Sequence, residues 1–160
     1  MTVSGPLEIV PFGPHDQAAV RQLILDGLEE HWGGLDPALN PDVADIAASY
    51  ADGAVLVARR DGRILGAGAL APAGPDTGEV KRMSVARDQR RTGVATAVLR
   101  EMVAIGVQRG WSALVLETTA AWTDAVGLYQ HFGFTLTHEE DGEFGRDAYF
   151  RLELGDQPAD

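Results

Sequence analysis

Five cations crowd one short stretch of this chain. Lys81, Arg82, Arg87, Arg90 and Arg91 fall within eleven residues, and Asp88 is the one acid among them. The cluster sits inside a longer run, Glu79 to Leu99, that reads as a strand, a basic loop, and then Gly93 at the mouth of a helix. The first N–H groups of a helix have no acceptor within it, and the helix dipole is positive at that end, so such a start binds anions. With arginines beside it, the run predicts a ligand that carries phosphates. A solvated basic face is the competing reading. Other chemistries are poorly served. Cysteine is absent, which removes disulfides, thiolate metal sites and a cysteine nucleophile. His15, His31, His131 and His138 lack metal-ligand spacing, so no metal is expected. The phosphate-loop signature ending Gly-Lys-Ser/Thr is missing.

The elements that must position this run are legible from periodicity. Leu7 to Val10 is a short apolar strand closed by Pro11. Gly13 to Asp16 opens a helix carrying Val20, Leu23, Ile24 and Leu28 at helical spacing, broken by Gly33-Gly34. Pro41 to Tyr50 predicts a second, short helix. Val55 to Arg59 and Ile64 to Leu70 flank Asp61-Gly62, a hairpin signal because both central residues need positive φ. Pro72 to Gly78 is rich in turn residues, and Glu79 to Val85 is the next strand. Gly93 to Val107 reads as a helix with Val94, Val98, Met102 and Ile105 on one side and Gly110 after its end. A strand at Ala113 to Leu116, a helix at Trp122 to His131 ended by Gly133, and strands at Phe134 to Thr137 and Tyr149 to Leu154 complete the pattern. The order predicts an α/β (α+β) fold: one mixed sheet with helices packed against it. The expected domain spans 1–154, with 155–160 a frayed tail.

Composition fits that reading. The 160 residues suffice for one domain with a sizeable core, and apolar content is 45%. With 24 acidic and 13 basic residues the net charge is −11, which repels nucleic acid and anionic membranes. No apolar run approaches the ~18 residues of a membrane span, and Met1 to Val10 lacks the pattern of a signal peptide. The missing cysteines suit a reducing cytoplasm, so a cytoplasmic protein is expected.

Two blocks carry a resemblance. Arg90-Arg91-Thr92-Gly93-Val94-Ala95 resembles the Arg/Gln-x-x-Gly-x-Gly/Ala signature of the GNAT-type N-acetyltransferase superfamily. Leu128-Tyr129 followed by Phe132-Gly133-Phe134 resembles that superfamily's second signature. The resemblance covers Ile64 to Phe134. It implies a single-domain, mostly antiparallel mixed sheet with helices on both faces and a splayed strand pair that holds acetyl-CoA or another acyl-CoA. It also implies cofactor contacts. The backbone N–H groups of Arg91, Thr92, Gly93, Val94, Ala95 and Thr96 would hold the diphosphate, with charge from Arg90 and Arg91 and a hydroxyl from Thr96. The main chain of Met83, Ser84 and Val85 would pair with the pantetheine amides.

The same resemblance implies roles for side chains. Acyl transfer needs an amine freed of its proton, because an ammonium with a pKa near ~10.4 has no lone pair to attack with. Glu79, six residues before Val85, stands where several relatives carry a glutamate base. It also reads as a solvated strand carboxylate or as an ion-pair partner of Lys81, and a bulge in its strand would alter its facing. Tyr129 stands where relatives place the acid that protonates the departing sulfur; it also reads as a core tyrosine. The Val85 N–H is the implied donor to the developing oxyanion. Two positions depart from the pattern: Trp122 replaces a frequent asparagine, and Arg87 replaces a usual proline.

The acceptor side, by resemblance, lies around the first two helices and the last strands. There His31, Trp32, Asp36, Asp42, Glu139, Glu140, Asp141 and Glu143 make an acidic surface suited to a cationic amine, or merely to solubility. Glu117 reads equally as an acceptor-facing or a structural carboxylate. The expected activity is acetyl transfer to a primary amine on a small cationic or amino-acid-like molecule. A non-catalytic acyl-CoA sensor or scaffold is the alternative, and it would need neither Glu79 nor Tyr129. Members of this superfamily often dimerise, so a homodimer is an expectation that the sequence leaves open.

Overall fold

The computed structural model describes residues 5–33, 40–143 and 145–155. Gly34, Asp36 and the tail from 156, all singled out by sequence, lie outside them. Among the described residues no helix is long and apolar enough to cross a membrane. Among the described residues seven strands, β1 (Glu8–Pro11), β2 (Ala54–Arg60), β3 (Arg63–Pro72), β4 (Thr77–Val85), β5 (Ala113–Thr119), β6 (Thr135–Gly142) and β7 (Gly145–Glu153), follow the order β1-β2-β3-β4-β5-β7-β6. The chain divides into two compact units interleaved in sequence: one holds residues up to Ala71 and Lys81–Glu101, the other Pro72–Val80 and everything from Met102.

The first unit is built on a hairpin. Strands β1 (Glu8–Pro11), β2 (Ala54–Arg60) and β3 (Arg63–Pro72) pair antiparallel. Asp61 and Gly62 connect β2 and β3 with φ of 53° and 80°, the positive values that a two-residue turn requires. Helix α1 (Gln17–Trp32) ends at Gly33, φ 72°. The second predicted helix appears as a 3-10 turn at Pro41–Ala44 followed by α2 (Ile46–Ser49). Val20, Ile24 and Leu25 of α1 pack with Val43, Ile46, Val57 and Ala67. A Cβ on Gly66, one residue before Ala67, would meet Val94 Cγ1 at 2.7 Å, so helix α3 (Val94–Gln108) begins against the other face. Helices therefore cover both faces here, and every residue from Leu65 to Leu70 is buried. Asp16, 3% exposed, anchors the start of α1 by accepting from the Gly13 N–H and the Arg59 guanidinium.

The second unit begins with the opening residues of β4 (Thr77–Val85), whose Thr77–Glu79 pair parallel with Ala113–Val115 of β5 (Ala113–Thr119). Strand β5 pairs antiparallel with β7 (Gly145–Glu153), and β7 with β6 (Thr135–Gly142). Helix α4 (Thr123–Phe132) precedes β6. Leu114, Leu116, Phe134, Phe150 and Leu154 are buried. Gly78 lies under Trp111, where a Cβ would come within 2.3 Å of the indole. The last hairpin is much longer than the predicted strands. It runs from Thr135 to Glu153, because β6 continues through Glu139-Glu140-Asp141 while exposed at every residue.

Candidate functional site

At the entrance to α3 the backbone enters the left-handed region twice: Arg91 has φ 64° and Gly93 φ 90°, with Thr92 between them. Such alternation gathers successive N–H groups into a concavity that suits an anion. The Ala97 N–H donates to Gly93 O at 3.0 Å, so the N–H groups of Val94, Ala95 and Thr96 have no acceptor within α3. A Cβ on Gly93 would meet nothing within 4 Å among the described residues. Glycine is required there by φ rather than by tight packing, and the space above the loop is open. This donor set and this space fit a phosphate group.

Ion pairs fasten the basic loop. Arg90 Nη1 lies 2.6 Å from Glu30 Oε1, and that guanidinium holds the Glu30 carboxyl below its ordinary range. Arg87, which opens a 3-10 turn in place of the proline, approaches the same oxygen at 3.8 Å. Asp88 is gripped by Arg63 at 2.7 and 2.9 Å. Arg90 thus shares its charge with α1, while Arg91 is exposed. Met83, Ser84 and Val85 end β4 half-buried, and Ala86 N–H donates to Leu65 O at 2.8 Å. Arg82 does not join the anion cluster. Its guanidinium grips Asp42, which also accepts from the Tyr50 hydroxyl at 2.6 Å. Burial would raise the Asp42 carboxyl, but the bonds from Arg82 and Tyr50 outweigh that and hold it low. Burial, with Asp42 beside it, pushes Tyr50 up to about 12.

In the second unit the β4–β5 ladder stops at Glu79↔Val115, although β4 continues to Val85 and β5 to Thr119. Glu79 is half-buried at its last rung. Strand alternation puts Val115 and Glu117 on the Glu79 face, and Tyr149 is the cross-strand partner of Glu117. The Tyr149 hydroxyl donates to Glu117 Oε2 at 3.2 Å, and His138 stacks on its ring with centroids 4.3 Å apart. Desolvation raises the Glu117 carboxyl above its ordinary value; the Tyr149 bond opposes this, and Asp147 and Glu79 add to it.

Tyr129 occupies the opposite face. Its ring meets Phe134 edge-on at 5.8 Å and lies 6.4 Å from Phe150, whose strand neighbour Tyr149 points the other way. The residue is 7% exposed, and its hydroxyl is not among the sealed polar atoms that lack a partner. Burial raises its pKa, so the phenol keeps its proton through the neutral range. Trp122 is the N-cap of α4 and makes no side-chain cap bond, whereas an asparagine there can accept one.

Several of the acceptor-side carboxylates named by sequence have basic neighbours. Asp42 is tied to Arg82, Glu139 and Asp141 each lie 2.8 Å from Arg146, and Glu140 lies 3.3 Å from His138. By sequence alone these residues count as negative charge, and Tyr50, Tyr149, Asp147 and the turn of Arg82 go unnoticed. Tyr149 and Arg82 have no spacing signal, because their partners lie 32 and 40 residues away.

Comparison with known proteins adds four findings. Residues 18–134 match the Acetyltransferase (GNAT) family. The chain is 36% identical over 134 residues to the IAA acetyltransferase of Azospirillum brasilense, covering 81% of this chain and 82% of that protein. It is 32% identical over 111 residues to N-acetyltransferase 8B of Homo sapiens, covering 64% of this chain and 49% of that protein, so it spans about half that relative's length. An acetyltransferase of Salmonella typhimurium, solved with its cofactor acetyl-CoA, shares the fold with a TM-score of 0.75 at 15% identity over 96% of each chain.

Proposed function

The chain belongs to the Acetyltransferase (GNAT) family, and on that premise we propose that it is an acetyl-CoA-dependent N-acetyltransferase acting on a primary amine of a small cationic or amino-acid-like molecule. Acetyl-CoA supplies the activated acetyl thioester. The N–H groups from Arg91 to Thr96 hold its diphosphate, with Arg91 and Arg90 adding charge, and the main chain of Met83, Ser84 and Val85 pairs with its pantetheine arm. Glu79 takes the proton from the acceptor's ammonium, which frees the lone pair for attack on the acetyl carbon. The Val85 N–H donates to the carbonyl oxygen as negative charge develops there. Tyr129 gives its phenolic proton to the sulfur as the C–S bond breaks, and the second proton shed by the attacking nitrogen restores the phenol while Glu79 releases its proton to solvent. The products are the N-acetyl amine and CoA.

The observation that carries this reading is the pair of positive φ values at Arg91 and Gly93 beneath open space, inside the matched family region. Glu117 gives the acceptor's cation a counter-charge on the Glu79 face, where the Tyr149 hydroxyl orients its carboxylate. The test is a calorimetric titration with acetyl-CoA, followed by mass spectrometry of a cationic amine incubated with both. Saturable binding and an acetyl mass increment on the amine are expected. Binding with no acetylated product across amine classes would favour a non-catalytic sensor, and no binding would end the proposal.

A further inference from the structure

Arg82 is a non-glycine residue at φ 56° in the middle of β4. That conformation is uncommon for a long side chain and persists only where the surroundings over-determine it. Asp42 supplies the constraint: Arg82 Nε donates to Oδ2 at 2.9 Å, Nη2 donates to Oδ1 at 2.6 Å, and the Tyr50 hydroxyl fixes Oδ2 from the other side at 2.6 Å. The two charged side chains are 22% and 24% exposed, so solvent and salt screen them less than a surface pair. Their base is rigid. Asp42 and Tyr50 flank Val43 and Ile46, each 1% exposed in the core, and Gln17 of α1 clips that segment by donating to Val43 O at 2.9 Å and accepting from the Ile46 N–H at 3.0 Å.

The strand changes character at Arg82. Before it, Gly78 and Val80 are buried while Glu79 and Lys81 are not; after it, Met83, Ser84 and Val85 are all half-buried. A left-handed residue inside a strand acts as a bulge and re-aims the residues beyond it. In β4 those residues are Met83 to Val85, whose main chain is assigned above to the pantetheine arm.

We infer that Asp42 and Tyr50 are positioning residues that clamp Arg82 at positive φ and so aim the Met83–Val85 main chain at the pantetheine arm of acyl-CoA. This rests on the N-acetyltransferase reading. Glycine tests it, because glycine adopts positive φ without a clamp and alanine does not. Acetyl-CoA affinity is measured by calorimetry for wild type, Arg82→Ala, Arg82→Gly, Asp42→Asn and the Asp42→Asn/Arg82→Gly double variant, with melting curves and steady-state kinetics on each. Arg82→Ala and Asp42→Asn should weaken acetyl-CoA about tenfold, mainly through KM rather than kcat. Arg82→Gly should recover most of what Arg82→Ala loses, and Asp42→Asn should cost nothing further in the glycine background. Tyr50→Phe, which deletes one hydroxyl, guards against a misfolded Asp42 variant and should weaken acetyl-CoA about threefold. Equal affinities for Arg82→Ala and Arg82→Gly, with only the melting midpoint lowered, would overturn the inference and leave the N-acetyltransferase reading intact. A wild type that binds no acetyl-CoA would end both.

Discussion

Replacing Tyr129 with phenylalanine should separate stability from turnover. The ring is 7% exposed and packs on Phe134 and Phe150, contacts that phenylalanine keeps. The hydroxyl is not a sealed polar atom lacking a partner, so its removal relieves no desolvation penalty. Deleting it should therefore change stability by less than about 0.5 kcal/mol, roughly 1–2 °C in Tm for a chain of this size. A positioned proton donor contributes about 10²–10⁴-fold to rate, or ~3–5 kcal/mol of barrier. The melting midpoint should hold while kcat falls about a hundredfold or more, with acetyl-CoA affinity nearly intact. Differential scanning calorimetry and initial rates of thiol release read both quantities on one preparation. A kcat within about threefold of wild type would make Tyr129 a core ring only. A fall in Tm together with kcat would show that the hydroxyl is structural, refuting its separation of turnover from stability.

The same geometry bears on three other positions. Glu79→Gln should lower the rate about 10²–10⁴-fold, most severely at low pH where fewer amines are free, and a pH–rate profile unchanged in shape and height would make Glu79 a strand carboxylate. Glu117 is held above its ordinary 4.5 when folded, so its stabilising contribution is present below that value and is lost as pH rises through the folded pKa. Glu117→Gln should therefore melt higher than wild type at neutral pH and equally near about pH 4, and a gain that persists in acid would contradict the assignment. Gly93→Ala forces a side chain to φ 90° with nothing within 4 Å to hit, so its cost of about 1–2 kcal/mol is backbone strain. It should lower the melting midpoint or weaken acetyl-CoA about tenfold by calorimetry, and no change in either would remove the loop from the argument.

The features legible in the sequence are local ones. Asp61-Gly62 announces its hairpin because the turn's φ values are a property of those two residues. Val94, Val98 and Met102 announce the buried side of α3 because helical spacing records which face is covered. Strand β5 reaches Thr119 rather than Leu116 because its last residues no longer alternate cleanly between buried and exposed. The β6–β7 hairpin is hidden for a related reason. With β6 exposed at every residue, Glu139 to Asp141 carry no period-two signal. The loop at Gly93 can be located but not given its reason, since packing and φ predict the same glycine. Pairings across the chain are out of reach: Asp42 meets Arg82 over 40 residues, and Glu117 meets Tyr149 over 32. They tie Asp42 to a cation and orient Glu117 on the Glu79 face.

The central claim is acetyl transfer to an amine, and its most direct test is acetyl-CoA turnover against a panel of small amines, amino acids and basic peptides, read as released thiol. The chain has no cysteine to add a thiol background. Saturable thiol release that depends on one class of cationic primary amine is the predicted result. Thiol release no faster than the buffer blank with every amine, from protein that binds acetyl-CoA, would contradict it.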